Sequence, residues 1–177
     1  MTRILLVLMF GLLAGCAGGG SDRSASKDDE SSSLISDLQG ARLEATTISA
    51  RKLIFDKVTG TVGKGATEIH YSAYYKGDVP RLVEETADYG ASGESESGYF
   101  LDSHGRFFYY TASHERRKQS NEQTIRVRIA FDESGNVVGS EKSVNGEAAS
   151  VSDREVRVVK SRLRALIKAA DASKKPS

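Results

Sequence analysis

The sequence predicts an α+β fold: an antiparallel β-meander of about six strands packed against an N-terminal and a C-terminal helix. Two observations carry this. Within residues 67–145, two segments alternate along the chain with period two, and three hairpin signals stand in series. The segments on either side repeat their apolar residues at helical spacing. An antiparallel sheet with helices laid on one face belongs to this class.

In the N-terminal helix, Leu34, Leu38, Ala41, Ala45 and Ile48 recur at helical spacing, and Ser31 to Ser33 offer N-cap hydroxyls. The expected span is about Ser33 to Asp56. Gly40 and the pair Thr46-Thr47 weaken it, so its second half is open to an extended alternative. Residues 59–65, TGTVGKG, follow. Only Thr61 and Val62 separate Gly60 from Gly63-Lys64, and Gly65 stands where a phosphate-binding P-loop needs Ser or Thr. This segment therefore reads as a plain loop.

The meander begins with Ile69, Tyr71, Ala73 and Tyr75 alternating with His70, Ser72 and Tyr74. Later, Ile125, Val127, Ile129 and Phe131 alternate with Arg126, Arg128 and Ala130. Three turns share one form, aromatic then turn then apolar: Tyr74-Tyr75 to Pro80, Tyr99-Phe100 to Phe107, and Ala130-Phe131 to Val137. Asp and Gly in each supply side-chain capping and a positive φ. The C-terminal helix opens on the capping box Ser152-Asp-Arg-Glu155. Val156, Val159, Leu163, Leu166, Ile167 and Ala170 form the stripe that lies on the sheet.

Before the domain, Met1-Thr2-Arg3 carries one positive charge, and Ile4 to Ala14 is apolar apart from Gly11. That run is too short to span a bilayer, which needs about 20 residues, and it reads as a secretory signal. Leu13-Ala14-Gly15-Cys16 resembles the lipobox of bacterial lipoproteins. The resemblance implies cleavage before Cys16, with acylation of its thiol and amine. Residues 1–15 are then the signal peptide, 16–33 the lipidated Cys and a Gly/Ser-rich tether, 34–172 a single domain, and 173–177 a tail. Position 17 is Ala; the Asp that tends to retain such proteins in the inner membrane is absent. The implied location in a Gram-negative host is the outer membrane, facing the periplasm unless flipped outward; in a Gram-positive host it is the outer face of the single membrane. The domain itself resembles a loose group of small bacterial envelope proteins that combine a tether, a helix, a meander of aromatic–Asp–Gly hairpins and a closing helix. That likeness supports the fold and implies no activity.

The chain has 25 Lys+Arg against 24 Asp+Glu, and removal of Arg3 with the signal balances the two. A nucleic-acid binder would show a clear positive excess, so this class is not expected. Cys16 is the only cysteine, which leaves no intrachain disulfide and no thiolate metal site. His70, His104 and His114 lack the spacing of zinc ligands, so no metal and no cofactor is expected.

Charge is nevertheless uneven. Asp78 to Asp102 holds seven acids and one base, whereas Asp153 to Lys175 holds eight bases and three acids. Arg154, Arg157, Lys160, Arg164 and Lys168 share the helix face opposite the apolar stripe. That face suits either solvent, the neighbouring acidic strands, or an anionic partner. Strand alternation places Phe107 and Tyr109 on one sheet face and Phe108 and Tyr110 on the other, so one pair is expected to stand outside the core. The candidate partner-binding residues are therefore Arg157, Lys160, Arg164, Lys168, Phe108 and Tyr110, with Cys16 the lipidation site.

The function expected is that of a membrane-tethered, non-enzymatic binding or scaffolding module with an envelope-protein partner and no small-molecule substrate. One alternative is a periplasmic inhibitor of a hydrolase such as lysozyme, using the acidic hairpin 84–96 in a basic cleft. A weaker one is a hydrolase using the paired Glu94 and Glu96.

Overall fold

The structure, a computed structural model, describes residues 37–63, 68–118 and 121–174. Cys16, the signal, the tether, Leu34 and Ser31 to Ser33 lie outside the described residues, as does the end of the tail.

Helix α1 runs Leu38–Arg51 and passes through a 3-10 turn, Lys52–Ile54, into strand β1 at Asp56–Val62. The meander continues with β2 (Ile69–Lys76), β3 (Val79–Asp88), β4 (Gly93–Leu101), β5 (Phe107–Lys118), β6 (Asn121–Phe131), β7 (Val137–Val144) and β8 (Glu147–Ala149). Helix α2, Asp153–Ser173, closes the chain. All eight strands form one antiparallel sheet in sequence order. The α+β fold with its two helices is as expected; the sheet has two more strands.

Both extra strands lie at the ends of the sheet. Residues 59–62, expected as loop, belong to β1, which pairs with β2 from Asp56↔Tyr75 to Val62↔Ile69. Helix α1 is accordingly shorter than expected. Its N-cap is Asp37, whose Oδ1 accepts the Gly40 amide at 2.7 Å. At the other end, β7 turns into β8 through Asn145-Gly146, both at positive φ (53° and 88°). A two-residue turn of that hand matches the twist of its strands, and Asn-Gly is its preferred dipeptide.

The helices cover opposite faces rather than one. On the first face, Val159, Leu163, Leu166 and Ala170 of α2 pack on Tyr71, Ala73, Tyr75, Val83, Tyr99, Tyr110, Val127, Ile129 and Phe131. On the second, Ala41, Ala45 and Ile48 of α1 pack on Tyr74, Leu82, Phe100, Phe108, Tyr109 and Ala130. The alternation of β2 and β6 is what feeds both layers. Gly139 admits α1 closely: a Cβ there would stand 2.9 Å from Leu38 Cβ and 3.1 Å from its backbone nitrogen.

Each of the three repeated hairpins carries one extra residue on its returning strand. Tyr74↔Leu82 is followed by Tyr75↔Pro80, Phe100↔Tyr109 by Leu101↔Phe107, and Ala130↔Gly139 by Phe131↔Val137. Arg81, Phe108 and Val138 are the unpaired residues. A bulge of this kind shifts the alternation by one. Phe107 therefore joins Tyr110 in the α2-side core, and Phe108 joins Tyr109 in the α1-side core. Two of the turns are also built alike. Asp102 Oδ1 accepts the amides of His104 and Arg106, Asp132 Oδ1 accepts that of Asn136, and Gly105 and Gly135 follow at φ 78° and 80°.

Candidate functional site

Helix α1 covers only one end of its sheet face. The register extends that face into two further rows. One runs Ser72, Glu84, Gly98, Thr111, Arg128 and Glu141; the next runs His70, Thr86, Glu96, Ser113, Arg126 and Ser143. A groove of about 570 Å³ opens over them, bounded by Ser49 at the end of α1 and by Phe100. Its floor is low at Gly98, where the Phe100 ring takes the space of a side chain: a Cβ would lie 3.0 Å from Phe100 Cε2.

Charge is segregated across this groove. Glu84 is committed to the fold: Lys52 Nζ donates to its Oε1 at 2.9 Å and the Tyr74 hydroxyl to its Oε2 at 3.0 Å. That carboxylate, acting against partial burial, raises the Lys52 pKa. Arg128 is held by Glu141 at 3.0 Å. Glu96 and Arg126, by contrast, carry no hydrogen bond or ion pair among the described residues. They stand in one row on either side of Ser113, two strands and therefore about 9.5 Å apart. An unpaired carboxylate, a hydroxyl and an unpaired guanidinium in line can hold a polar ligand or polypeptide carrying both signs of charge. Beyond them, Asp88, Glu94 and Glu115 face one another across β3, β4 and β5 and are all exposed.

The residues singled out from sequence divide sharply. Phe108 and Tyr110 are 4% and 5% exposed, so neither is a surface aromatic. Bulge and double helix cover explain why: with a helix on each face, no aromatic row is left outside. Burial pushes the Tyr110 hydroxyl up to about 12, although a hydrogen bond with Ser97 opposes the shift. Lys160 is also taken into the fold, its ammonium donating to the Gly135 carbonyl and lying 5.1 Å over the Phe131 ring. Arg157, Arg164 and Lys168 are exposed and carry no partner among the described residues. Glu94 and Glu96 are exposed on β4. His70 and His104 are exposed, while burial and Arg116 lower the pKa of half-buried His114.

Among the described residues no group of three His, Cys, Asp or Glu is arranged to hold a metal ion, and no helix is long and apolar enough to cross a membrane. No protein-family model, characterised protein or solved structure matches this chain.

Proposed function

We propose that this chain is a lipid-anchored lipoprotein of the bacterial outer membrane, held at Cys16, whose domain is a non-enzymatic binding module for another envelope protein. The observation that supports the binding role is the open polar half of the α1-side sheet face, with Glu96 and Arg126 unpaired across its groove. The lipobox at Leu13 to Cys16 supports the anchor. A photo-crosslinking side chain at Ser113 in the intact envelope tests the contact. The expected result is a discrete crosslinked product that disappears with Arg126→Glu. A domain that yields no product from this face, under conditions where the protein is abundant, overturns the reading. Mass analysis of the mature N-terminus, with Cys16→Ser as control, tests the anchor separately.

A second reading is inhibition of a periplasmic hydrolase with a basic cleft. Glu84 and Glu85 of the acidic hairpin are spent inside the fold, on Lys52 and Tyr74 and on Arg162. Asp88, Glu94 and Glu115 remain, placed directly opposite one another. Like charges in that register cost stability, so a partner of opposite sign would relieve them. Inhibition of a lysozyme panel that is lost on Glu94→Lys supports this reading; an unaffected panel removes it.

A further inference from the structure

Three large apolar side chains stand exposed along α1 and the turn that ends it. Leu43 is 71% exposed, and the 3-10 turn that ends the helix presents Leu53 at 91% and Ile54 at 80%. Leu43, Ala50 and Ile54 follow one another at seven- and four-residue steps, on one side of the helix and its continuation. Thr46 and Thr47 lie between them. Their hydroxyls donate back to the carbonyls of Arg42 and Leu43 at 2.9 and 3.2 Å, which satisfies both polar groups within the helix. The turn itself is fixed: the Phe55 amide donates to Lys52 O, and Lys52 is tied to Glu84 on β3. Leu53 and Ile54 are thus held outward by the same contacts that seat the end of α1.

Bases border this strip. Arg42 and Arg51 are exposed on α1 and Lys57 at the start of β1, against the exposed Asp56 and the part-exposed Glu44. An apolar strip with a cationic border is the pattern of an element that lies in the headgroup region of an anionic bilayer.

We propose that α1 and its 3-10 turn form a membrane-docking element that inserts Leu53 and Ile54 into the surface of an anionic phospholipid bilayer. In this arrangement the groove over Gly98, which borders the C-terminal end of α1 at Ser49, opens close to the membrane surface. The vesicle test does not depend on the lipoprotein reading. Both apolar cores lie within residues 38–170, so a chain starting at Ser32 keeps every core contact and lacks signal and lipid alike. Flotation of that chain with vesicles of phosphatidylethanolamine and phosphatidylglycerol (3:1), and with pure phosphatidylcholine, reads the affinity. The expected result is binding to the anionic vesicles that weakens with added salt and falls at least tenfold in the Leu53→Asp/Ile54→Asp double variant, with its circular dichroism and thermal midpoint unchanged. A fluorophore on Leu53→Cys, the sole thiol of that chain, is expected to blue-shift on binding and to be quenched by spin-labelled lipid. Absence of binding, or equal binding by the double variant, overturns the proposal. So does loss of binding only on Arg157→Glu/Arg164→Glu/Lys168→Glu, which would assign membrane contact to α2. Failure of acylation at Cys16 would show in the mature mass and leave these vesicle results standing.

Discussion

Arg162 on α2 donates from Nε to the Glu85 carboxylate on β3 at 3.0 Å, under the helix. The pair is largely out of solvent, and Glu85 also faces the deeply buried Tyr99 hydroxyl, whose pKa burial drives far up. A half-buried charge that loses its counter-charge keeps its desolvation cost. Glu85→Ala is therefore expected to destabilise the domain by about 2–3 kcal/mol in urea unfolding. Glu85→Leu combined with Arg162→Leu is expected to recover more than half of that loss, because an apolar pair needs no hydration. Simple additivity of the two single changes would show that the residues are not energetically coupled.

The burial of Phe108 and Tyr110 makes an opposite prediction for residues that share one sequence argument. Phe108→Ala removes a ring from the α1-side core and should cost about 3–5 kcal/mol. Arg157→Ala and Arg164→Ala lie on open surface and should stay within about 0.5 kcal/mol of wild type. Thermal unfolding of the three variants separates them. A neutral Phe108→Ala would mean that the second face is not closed by α1.

What could be read in advance followed periodicity. The α2 stripe and its capping box stand where the spacing put them, since 3.6-residue repetition and a Ser-x-x-Glu cap both report local geometry. The alternation of β2 and β6 was equally legible. Bulges were not: one extra residue at Phe108 moves its neighbour to the other face, and nothing in FFYY marks the slip. Strand β1 was hidden because residues 59–65, TGTVGKG, read as a loop, and only pairing with β2 makes Asp56–Val62 a strand. Strand β8 did have a signal, the Asn145-Gly146 dipeptide. Arg162 had one too, since it sits three residues after Val159 and four before Leu166, on the buried side of α2. The groove was invisible because Glu96, Ser113 and Arg126 meet only through strand register.

Asn145 holds β7 to β6 as well as turning toward β8. Its amide donates to Thr124 O at 2.8 Å and its side-chain oxygen accepts the Thr124 amide at 2.9 Å. Asn145→Ala loses that acceptor and must hold a left-handed φ, which together should cost about 1–2 kcal/mol. Asn145→Gly keeps the φ at no steric cost and loses only the side-chain bond. Chemical denaturation should therefore rank wild type above Asn145→Gly, and Asn145→Gly above Asn145→Ala. A reversed order of the two variants would show that the hydrogen bond, not the backbone, governs this turn.

Acid should loosen α2 first. Partial burial disfavours the Glu155 carboxylate, but the hydrogen bond from Lys142 and those from the Ser152 amide and hydroxyl outweigh it and hold the pKa at about 2. Asp102 is lowered in the same direction, by Arg106 and the turn amides against its own burial. A carboxylate whose folded pKa lies below its unfolded one binds fewer protons when folded, so its stabilisation is complete above the unfolded value and disappears as pH falls toward the folded one. For Glu155 that window runs from the ordinary value of 4.5 down to about 2. The thermal midpoint of wild type is expected to fall across this range. Glu155→Gln should start lower at pH 7, having lost the charge that holds Lys142 and caps α2, and should then decline less steeply with acid. Ser152→Ala removes one donor while keeping the carboxylate, which raises the folded Glu155 pKa, moves the lower end of the loss to higher pH and makes the whole loss smaller. Equal acid slopes in wild type and Glu155→Gln would place the acid sensitivity elsewhere, with the Asp102 turn the next group to change.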